Sequence, residues 1–271
     1  LEKLNRLDIP VYAGADKPLV RNFVSAQDTH GMDGLGESRI NRTSNCQPQS
    51  QKASEFLATY FQKTQDTSLI TLGPLTNLAM AIKQNPQIGK HIKRFVSMGG
   101  SYKSHGNCSP VAEYNYWCDP HAAQFVYQKL GRKIEMVGLD VTRAIVLTPN
   151  LLEYMRFLQP EVAEFVGRIT RFYWDFHWEY EHIIGCVIND PLAIAHFLHE
   201  DLCMGFDSYV EVVTEGIALG QTVVDAYDFY HKPANAYIAT QVSPSLFFQD
   251  FLAILLNQPK ETIAQDLSSL L

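Results

Sequence analysis

"SLITLGPLTNLAMAIKQNP", residues 68 to 86, joins a short β-type run to a helical pattern through a Gly-Pro turn. The run from Ser68 to Leu72 is apolar and β-branched, which predicts a strand. After Gly73-Pro74, apolar residues recur at helical spacing until Pro86, which stops the helix. The stretch therefore predicts one strand-turn-helix unit of an α/β protein.

The same alternation continues along the chain. "IKRFVSMGG" (92–100) and "KIEMVGLDVT" (133–142) are predicted strands, and "DPHAAQFVYQKLG" (119–131) is a predicted helix with Asp119 as N-cap and Pro120 at its first position. Strands that alternate with helices of this length imply right-handed crossovers. We therefore predict an α/β fold with a mostly parallel sheet and helices on both faces.

The second half is predicted to be more helical. After Pro149 a long aromatic-rich helical region runs from about Leu151 to His182, and no internal repeat or linker stands out. A single domain over residues 1–271 is favoured, with two small domains as the weaker alternative. Further predicted elements are a helix in "INDPLAIAHFL" (188–198), antiparallel or edge strands in "SYVEVVTEG" (208–216), "QTVVDAYDFY" (221–230) and "NAYIATQV" (235–242), and a final helix in "SPSLFFQDFLAILL" (243–256).

Composition excludes several classes of function. The chain of 271 residues is 46% hydrophobic, carries a net charge of −7 and has no basic block, which argues against nucleic-acid binding. It has no apolar run of about eighteen residues, which argues against a membrane span. Five cysteines at irregular spacings suit core or incidental thiols, rather than a metal cluster, in a reducing compartment. With no signal peptide visible, we expect a cytoplasmic protein.

Polar residues at predicted strand ends are the candidates for a site, because ligands of parallel sheets bind there. Glu113 and Asn115 are two apart in a predicted extended segment, so both would point to one face and could bind adjacent hydroxyls; a solvated edge is the alternative. Helix capping is the alternative for Asp119 and Asp190. The other candidates are His30, which could be a loop histidine, Asp33, Asn77, which could be turn chemistry, Asn107 and Asn189.

Seven short motifs occur together in one order. They are "VYAGADKPL", "THGMDGLGE", "ITLGPLTNLAMAI", "VSMGGS", "GNCSPVAEYNYWCDPHAA", "VGLDVT" and "INDPLAIA". In this order and spacing the chain resembles the inosine-uridine-preferring nucleoside hydrolase family. The resemblance implies a Rossmann-like open α/β fold and an enzyme that uses bound calcium (Ca2+) to hydrolyse the N-glycosidic bond of a ribonucleoside. It also implies a nucleoside as the small-molecule partner, and a homodimer or homotetramer.

The resemblance assigns roles to particular positions. Asn107, Glu113 and Asn115 would bind the ribose hydroxyls, with Tyr114 packed near the sugar. Such oxygen and amide groups suit the reaction, because cleavage builds positive charge on the sugar. Asp190 and the backbone carbonyl of Leu72 stand at the positions of calcium ligands in the family. On the catalytic side, the candidates are Asn189 and His30 of "THGMDGLGE".

Asn189 departs from the family pattern. Pyrimidine-accepting members have at this position a histidine that helps to protonate the departing base, and an amide cannot act as a general acid at neutral pH. Purine-preferring members instead stack the base between aromatic rings. Tyr173, Trp174, Trp178 and Tyr180 lie in the region that would flank the base, and Trp178 is our candidate for stacking.

A second departure concerns the family's aspartate-rich segment, DxDxGxDD, which has no counterpart in residues 1–271. Three interpretations follow: a piece or truncated product of a nucleoside hydrolase, a non-catalytic relative that binds nucleosides or partners, and an unrelated sugar-processing hydrolase, which the ordered motifs disfavour. We expect these 271 residues alone to bind calcium weakly and to hydrolyse nucleosides poorly. We also expect Glu113 and Asn115 to face the same cleft as Asp190.

Overall fold

The structure, a computed structural model, describes residues 1–40 and 46–270. Among these residues, no helix is both long and apolar enough to cross a bilayer. The helices are α1 Gln27–His30, α2 Ala53–Lys63, α3 Thr76–Gln84, α4 Tyr114–Cys118, α5 Pro120–Lys129, α6 Leu139–Thr142, α7 Pro149–Leu158, α8 Pro160–Glu181, α9 Asn189–Leu198, α10 Pro244–Leu256 and α11 Lys260–Leu267. The strands are β1 Thr67–Thr71, β2 Ile92–Met98, β3 Ile134–Val137, β4 Val146–Leu147, β5 Cys186–Val187, β6 Cys203–Ser208, β7 Val210–Val212, β8 Thr222–Val224 and β9 Ala236–Val242.

The main sheet has the strand order β1-β2-β3-β9-β6. β1 pairs with β2, β2 with β3 and β3 with β9, all in parallel, which confirms the predicted α/β class with a mostly parallel sheet. The prediction of an edge strand for "NAYIATQV" is wrong, because β9 lies between β3 and β6 and pairs with β3 in parallel. Ile238 and Ala239 are consecutive and both buried, as is typical of a strand covered on both faces.

The strand-turn-helix unit at residues 68–86 is confirmed as β1 and α3. Helical spacing places Leu78 and Ile82 on one face of α3, and both are buried. They belong to the same core cluster as Phe95 of β2 and Val126 of α5. Each such side chain contributes about 2 kcal/mol through burial, so this cluster holds the helices against the sheet.

One predicted strand ends earlier than expected, and the predicted helical region after Pro149 is divided into two helices. The strand in "KIEMVGLDVT" stops at Val137, and α6 begins at Leu139. Gly138 allows this turn, since a Cβ there would lie 2.6 Å from the carbonyl oxygen of Gly100. The predicted helical region after Pro149 consists of two helices, α7 and α8, because Pro160 lacks the N–H that a continuous helix needs and starts α8.

The chain divides into two compact units. The first comprises residues 1–23, 40–139 and 206–238, and the second comprises residues 24–39, 140–205 and 239–271. In the second unit, Tyr154 of α7 donates a hydrogen bond from its hydroxyl to Asp266 of α11 at 2.7 Å. That the chain is one domain stays a prediction.

The five cysteines lie in two kinds of environment, buried and exposed. No disulfide joins those in the described part of the chain, and Cys118, Cys186 and Cys203 are buried. Burial raises the pKa of the Cys186 thiol to about 12, which keeps it protonated and unreactive. Cys46 and Cys108 are exposed.

Candidate active site

The carboxyl end of β2 carries the pair Gly99-Gly100, and both positions require glycine. A Cβ on Gly99 would lie 2.4 Å from the ring of Tyr116, and Gly100 has a φ of +75°. The buried backbone of Gly100 donates its N–H to Glu113 Oε2 at 2.9 Å. The glycine pair therefore holds Glu113 at the carboxyl end of a parallel strand, where ligands of such sheets bind.

Asn107, Glu113 and Asn115 come together at the start of α4. Glu113 is the N-cap of this helix, and its carboxylate accepts the backbone N–H of Asn115 at 2.8 Å. Asn107 Oδ1 accepts the backbone N–H of Tyr114 at 2.9 Å. The Asn115 amide donates from Nδ2 to the carbonyl oxygen of Met98 at 3.1 Å. The structure thus gathers the residues to which the family resemblance assigns the ribose.

The prediction of an extended segment at these residues is wrong. Tyr114–Cys118 are helical, so Glu113 and Asn115 do not alternate along a strand. The first N–H groups of a helix need acceptors, and the Glu113 carboxylate supplies them. The alternative of a solvated edge is also wrong, since Glu113 is 2% exposed and Asn115 is 8% exposed.

A second group of candidates lies in the other unit and centres on Tyr173 of α8. Asn189 donates from Nδ2 to the Tyr173 hydroxyl oxygen at 3.2 Å. The His30 ring is 5.1 Å from the Tyr173 ring, and the buried His177 ring is 4.2 Å from it. Burial lowers the pKa of His30, and the negative charge of Asp28 partly offsets this shift. The imidazole is therefore mostly neutral at pH 7. The structure brings His30 and Asn189 together through Tyr173.

Asp190 lies in the first turn of α9. The alternative that it is the N-cap is wrong, because Ile188 occupies that position and no side chain caps the helix. Asp190 is an exposed residue, yet partial desolvation of its carboxyl group raises its pKa to about 6. A carboxylate at a helix N-terminus is favoured by the helix dipole, and partial desolvation favours a cation as its partner.

Comparison with known proteins decides the family. Residues 1–249 match the model of the inosine-uridine preferring nucleoside hydrolases. The chain belongs to the inosine-uridine preferring nucleoside hydrolase family. The pyrimidine-specific ribonucleoside hydrolase RihA of Shewanella oneidensis is 37% identical over 244 residues, which cover 88% of this chain and 75% of that protein. The protein of the same name from Salmonella typhimurium is 34% identical over 256 residues, which cover 93% of this chain and 81% of that protein.

Solved structures agree with this assignment. A purine-preferring ribonucleoside hydrolase from Gardnerella vaginalis matches with a TM-score of 0.84 and 26% identity, covering 95% of this chain and 81% of that one. The plant nucleoside hydrolase PpNRh1 matches with a TM-score of 0.84 and 26% identity, covering 97% of this chain and 83% of that one. The resemblance seen in the sequence is therefore confirmed: this nucleoside hydrolase has the family fold, and its class of reaction is ribonucleoside hydrolysis.

Calcium, which the family resemblance implies, takes about six to eight oxygen ligands. The resemblance assigns to it the Asp190 carboxylate and the carbonyl of Leu72, which directly follows β1, and this assignment stays a prediction. Within residues 1–40 and 46–270, no group of three or more His, Cys, Asp or Glu side chains could hold a metal ion. The described residues do not by themselves fit a calcium site.

Trp178 lies on the exposed side of α8, with 57% of its surface accessible. Its ring contacts the His182 ring at 5.7 Å. Stacking of a base on Trp178 stays a prediction, as does a shared cleft for Glu113, Asn115 and Asp190.

Sequence reasoning missed the contact between Asn189 and Tyr173, and it missed His177 beside them. Tyr173 was only one of several aromatic residues in a helical pattern, and nothing local distinguished it. The one available signal was the helical spacing of Tyr173 and His177, four residues apart, which places both on one face of α8.

Proposed function

We propose that this nucleoside hydrolase cleaves ribonucleosides in a calcium-dependent reaction that gives ribose and free base. Water adds to the anomeric carbon, the bond from that carbon to the base nitrogen breaks, and the base leaves with the bonding electrons and gains a proton. The transition state has oxocarbenium character. The observation that carries this proposal is the convergence of Asn107, Glu113 and Asn115 at the start of α4.

Glu113 is the residue that we place opposite the developing positive charge. Its carboxylate accepts the backbone N–H groups of Gly100 and Asn115, so its orientation is fixed before substrate binds. A preorganised negative charge stabilises a cationic transition state more than a neutral substrate. Asn107 and Asn115 would orient the ribose hydroxyls, and Tyr114 would pack beside the sugar.

The leaving base would lie near Asn189 and His30. Asn189 hydrogen-bonds the substrate in this proposal but supplies no proton, since an amide is no acid at neutral pH. His30 is mostly neutral there, because burial lowers its pKa. Trp178 is the ring that we assign to stacking on the base.

Asp190 and the Leu72 carbonyl are the oxygen donors that we assign to calcium. Two donors are fewer than the six to eight oxygens that calcium takes. We further propose that the protein works in purine and pyrimidine salvage in the cytoplasm, as a homodimer or homotetramer.

A non-catalytic relative that binds nucleosides or partners is the second candidate. One observation favours it: the described residues contain no group of three or more acidic, histidine or cysteine side chains able to hold a metal. Binding without turnover would distinguish it from the hydrolase.

The test uses the complete gene product, which comprises these residues and any encoded with them. Turnover of inosine, uridine and p-nitrophenyl riboside is measured with and without millimolar calcium. We expect calcium-dependent release of base, and a fall of about 100-fold in kcat/KM for Glu113→Gln. Nucleoside binding with no turnover of any substrate would contradict the hydrolase proposal.

The matched control is Glu135→Gln, since the side chain of Glu135 is also largely buried, with 21% exposed, and pairs with Arg94 at 2.6 Å. Glu135 has no place in the proposed chemistry, so kcat/KM should stay within about threefold of the parent. Circular dichroism and the Tm of both variants separate a loss of chemistry from a loss of fold.

A further inference from the structure

Three buried hydroxyl groups form a chain near the carboxyl end of β2. The Tyr116 hydroxyl of α4 hydrogen-bonds to Ser97 Oγ of β2 at 3.0 Å and to the Tyr127 hydroxyl of α5 at 3.1 Å. Tyr116 and Ser97 are fully buried, and Tyr127 is 4% exposed. The Tyr116 hydroxyl has one proton, so it donates in one of these bonds and accepts in the other. The chain therefore anchors the Tyr116 ring to two other elements of the fold.

Both phenols of the chain keep their protons at neutral pH. Burial raises the pKa of Tyr116 to about 12, and it raises the pKa of Tyr127 well above its usual value. The negative charge of Glu113 acts on both pKa values in the same direction. The hydroxyl chain is therefore neutral, and it lies close enough to Glu113 for both phenols to sense that charge.

The Tyr116 ring packs against the glycine pair that holds Glu113. A Cβ on Gly99 would lie 2.4 Å from ring carbon Cε1, and a Cβ on Gly100 would lie 3.0 Å from Cε2. Gly100 donates its N–H to Glu113 Oε2 at 2.9 Å, and the backbone N–H of Tyr116 donates to the same oxygen at 3.3 Å. Tyr116 thus contacts both the backbone that holds the carboxylate and the carboxylate itself.

We propose that Tyr116 is a positioning residue that fixes the Glu113 carboxylate for the proposed hydrolysis. The inference rests on the proposed function. The two hydrogen bonds of the Tyr116 hydroxyl anchor the ring, the ring supports the glycine pair, and the glycine backbone holds the carboxylate. In a close-packed interior a loosened ring lets its neighbours shift, and a preorganised charge stabilises the transition state less when its position relaxes. Tyr116 acts through Glu113 and transfers no proton.

Removal of the hydroxyl alone tests this role in the complete gene product. Tyr116→Phe should lower kcat for inosine by about five- to fiftyfold and leave KM within about twofold, because relaxed positioning costs the transition state more than the bound substrate. Ser97→Ala removes one anchor of the ring and should show the same pattern with a smaller loss. Tyr154→Phe is the matched control, since it removes a hydroxyl that donates to Asp266 at 2.7 Å in the other unit. Its kcat should stay within about twofold of the parent.

A double-mutant cycle separates positioning from a merely structural role. In the Glu113→Gln background the charge that Tyr116 positions is absent, so Tyr116→Phe should lower kcat by less than about twofold. An equal fold loss in the two backgrounds, or a loss that appears in KM rather than in kcat, would overturn the inference. Circular dichroism and Tm show whether each variant is folded at the assay temperature, and Ser97→Ala carries the cycle if Tyr116→Phe is not.

A second measurement does not depend on turnover. An iminoribitol, in which a protonated nitrogen replaces the ring oxygen of ribose, carries the positive charge that Glu113 is proposed to face. Titration calorimetry should give a Kd for the iminoribitol about three- to tenfold higher for Tyr116→Phe than for the parent, while the Kd for ribose changes by less than about twofold. Unchanged binding of the iminoribitol would overturn the inference. Selective weakening of that binding in a protein that turns over no nucleoside would support the positioning of Glu113 and contradict only the proposed hydrolysis.

Discussion

The carboxylate of Asp119 accepts a hydrogen bond from the hydroxyl of Thr76, at an oxygen-oxygen distance of 2.7 Å. The same oxygen accepts the backbone N–H of Leu19 at 2.8 Å, and the other oxygen caps α5 through the N–H of Ala122 at 3.0 Å. Asp119 was predicted as a helix cap, which is confirmed, but it also ties three segments together. Thr76 follows Leu72 by four residues, so this bond anchors the turn that carries the proposed metal-binding carbonyl.

Replacing Asp119→Asn should lower the free energy of unfolding by about 2–4 kcal/mol. The amide keeps the shape but turns an N–H group toward donors at a fully buried position. Urea unfolding measures the change. Asp207→Asn serves as control, because Asp207 pairs with Lys133 at the surface and should change stability by less than about 0.5 kcal/mol. If Asp119→Asn lowers the free energy of unfolding no more than Asp207→Asn does, the Asp119 network adds little to stability.

Asp190 should make stability depend on pH when no metal is present. Its pKa is raised from 3.8 to about 6, so the folded state holds the proton more tightly than the unfolded state. The stabilisation that this proton brings is complete below about pH 4 and is lost as pH rises through about 6. Solvent at the exposed side of Asp190 weakens the effect.

Urea unfolding in EDTA, at pH values from 4 to 7.5, tests this dependence. Asp190→Asn should become progressively more stable than the parent as pH rises across that range. A difference between parent and variant that stays constant with pH would show that the Asp190 carboxyl is well solvated in the folded state.

Asn189→His should raise turnover of uridine more than turnover of inosine. A histidine at this position can protonate a departing base, and an unprotonated pyrimidine is a poor leaving group without an acid. Initial rates with both nucleosides measure the change in the complete gene product. Equal changes for the two substrates would show that position 189 does not govern departure of the base.

The 271-residue chain should bind calcium weakly and hydrolyse nucleosides poorly when it is tested alone. Asp190 and the Leu72 carbonyl supply two oxygens, and calcium affinity follows the number of carboxylate ligands. Calorimetric titration with calcium and assays of inosine, uridine and p-nitrophenyl riboside should be run on the purified 271-residue chain and on the complete gene product. Calcium-dependent turnover of the short chain at a comparable rate would mean that a water-activating group lies within residues 1–271.

Much of the fold could be predicted from local patterns. The β1–α3 unit, the Asp119 cap of α5 and the helix after Ser243 all follow from signals within a few residues, namely apolar periodicity, a capping side chain and a proline at the first turn. The alternation of predicted strands and helices along the chain predicted the parallel sheet. The assignment failed at α4, where the aromatic run Tyr114–Cys118 suits a strand as well as a helix, and only capping by Glu113 decides between them.

The sequence by itself determined the class of fold, the family and the identity of the polar candidates, because these depend on residue types in a fixed order along the chain. Tertiary structure alone decided which candidates meet. Asn189 contacts Tyr173 across 16 residues, and Asp119 contacts Leu19 across 100. A polar side chain can bond any complementary group that packing brings within about 3 Å. Packing depends on the whole chain, so the partner of each site residue could not be predicted from the pattern around it.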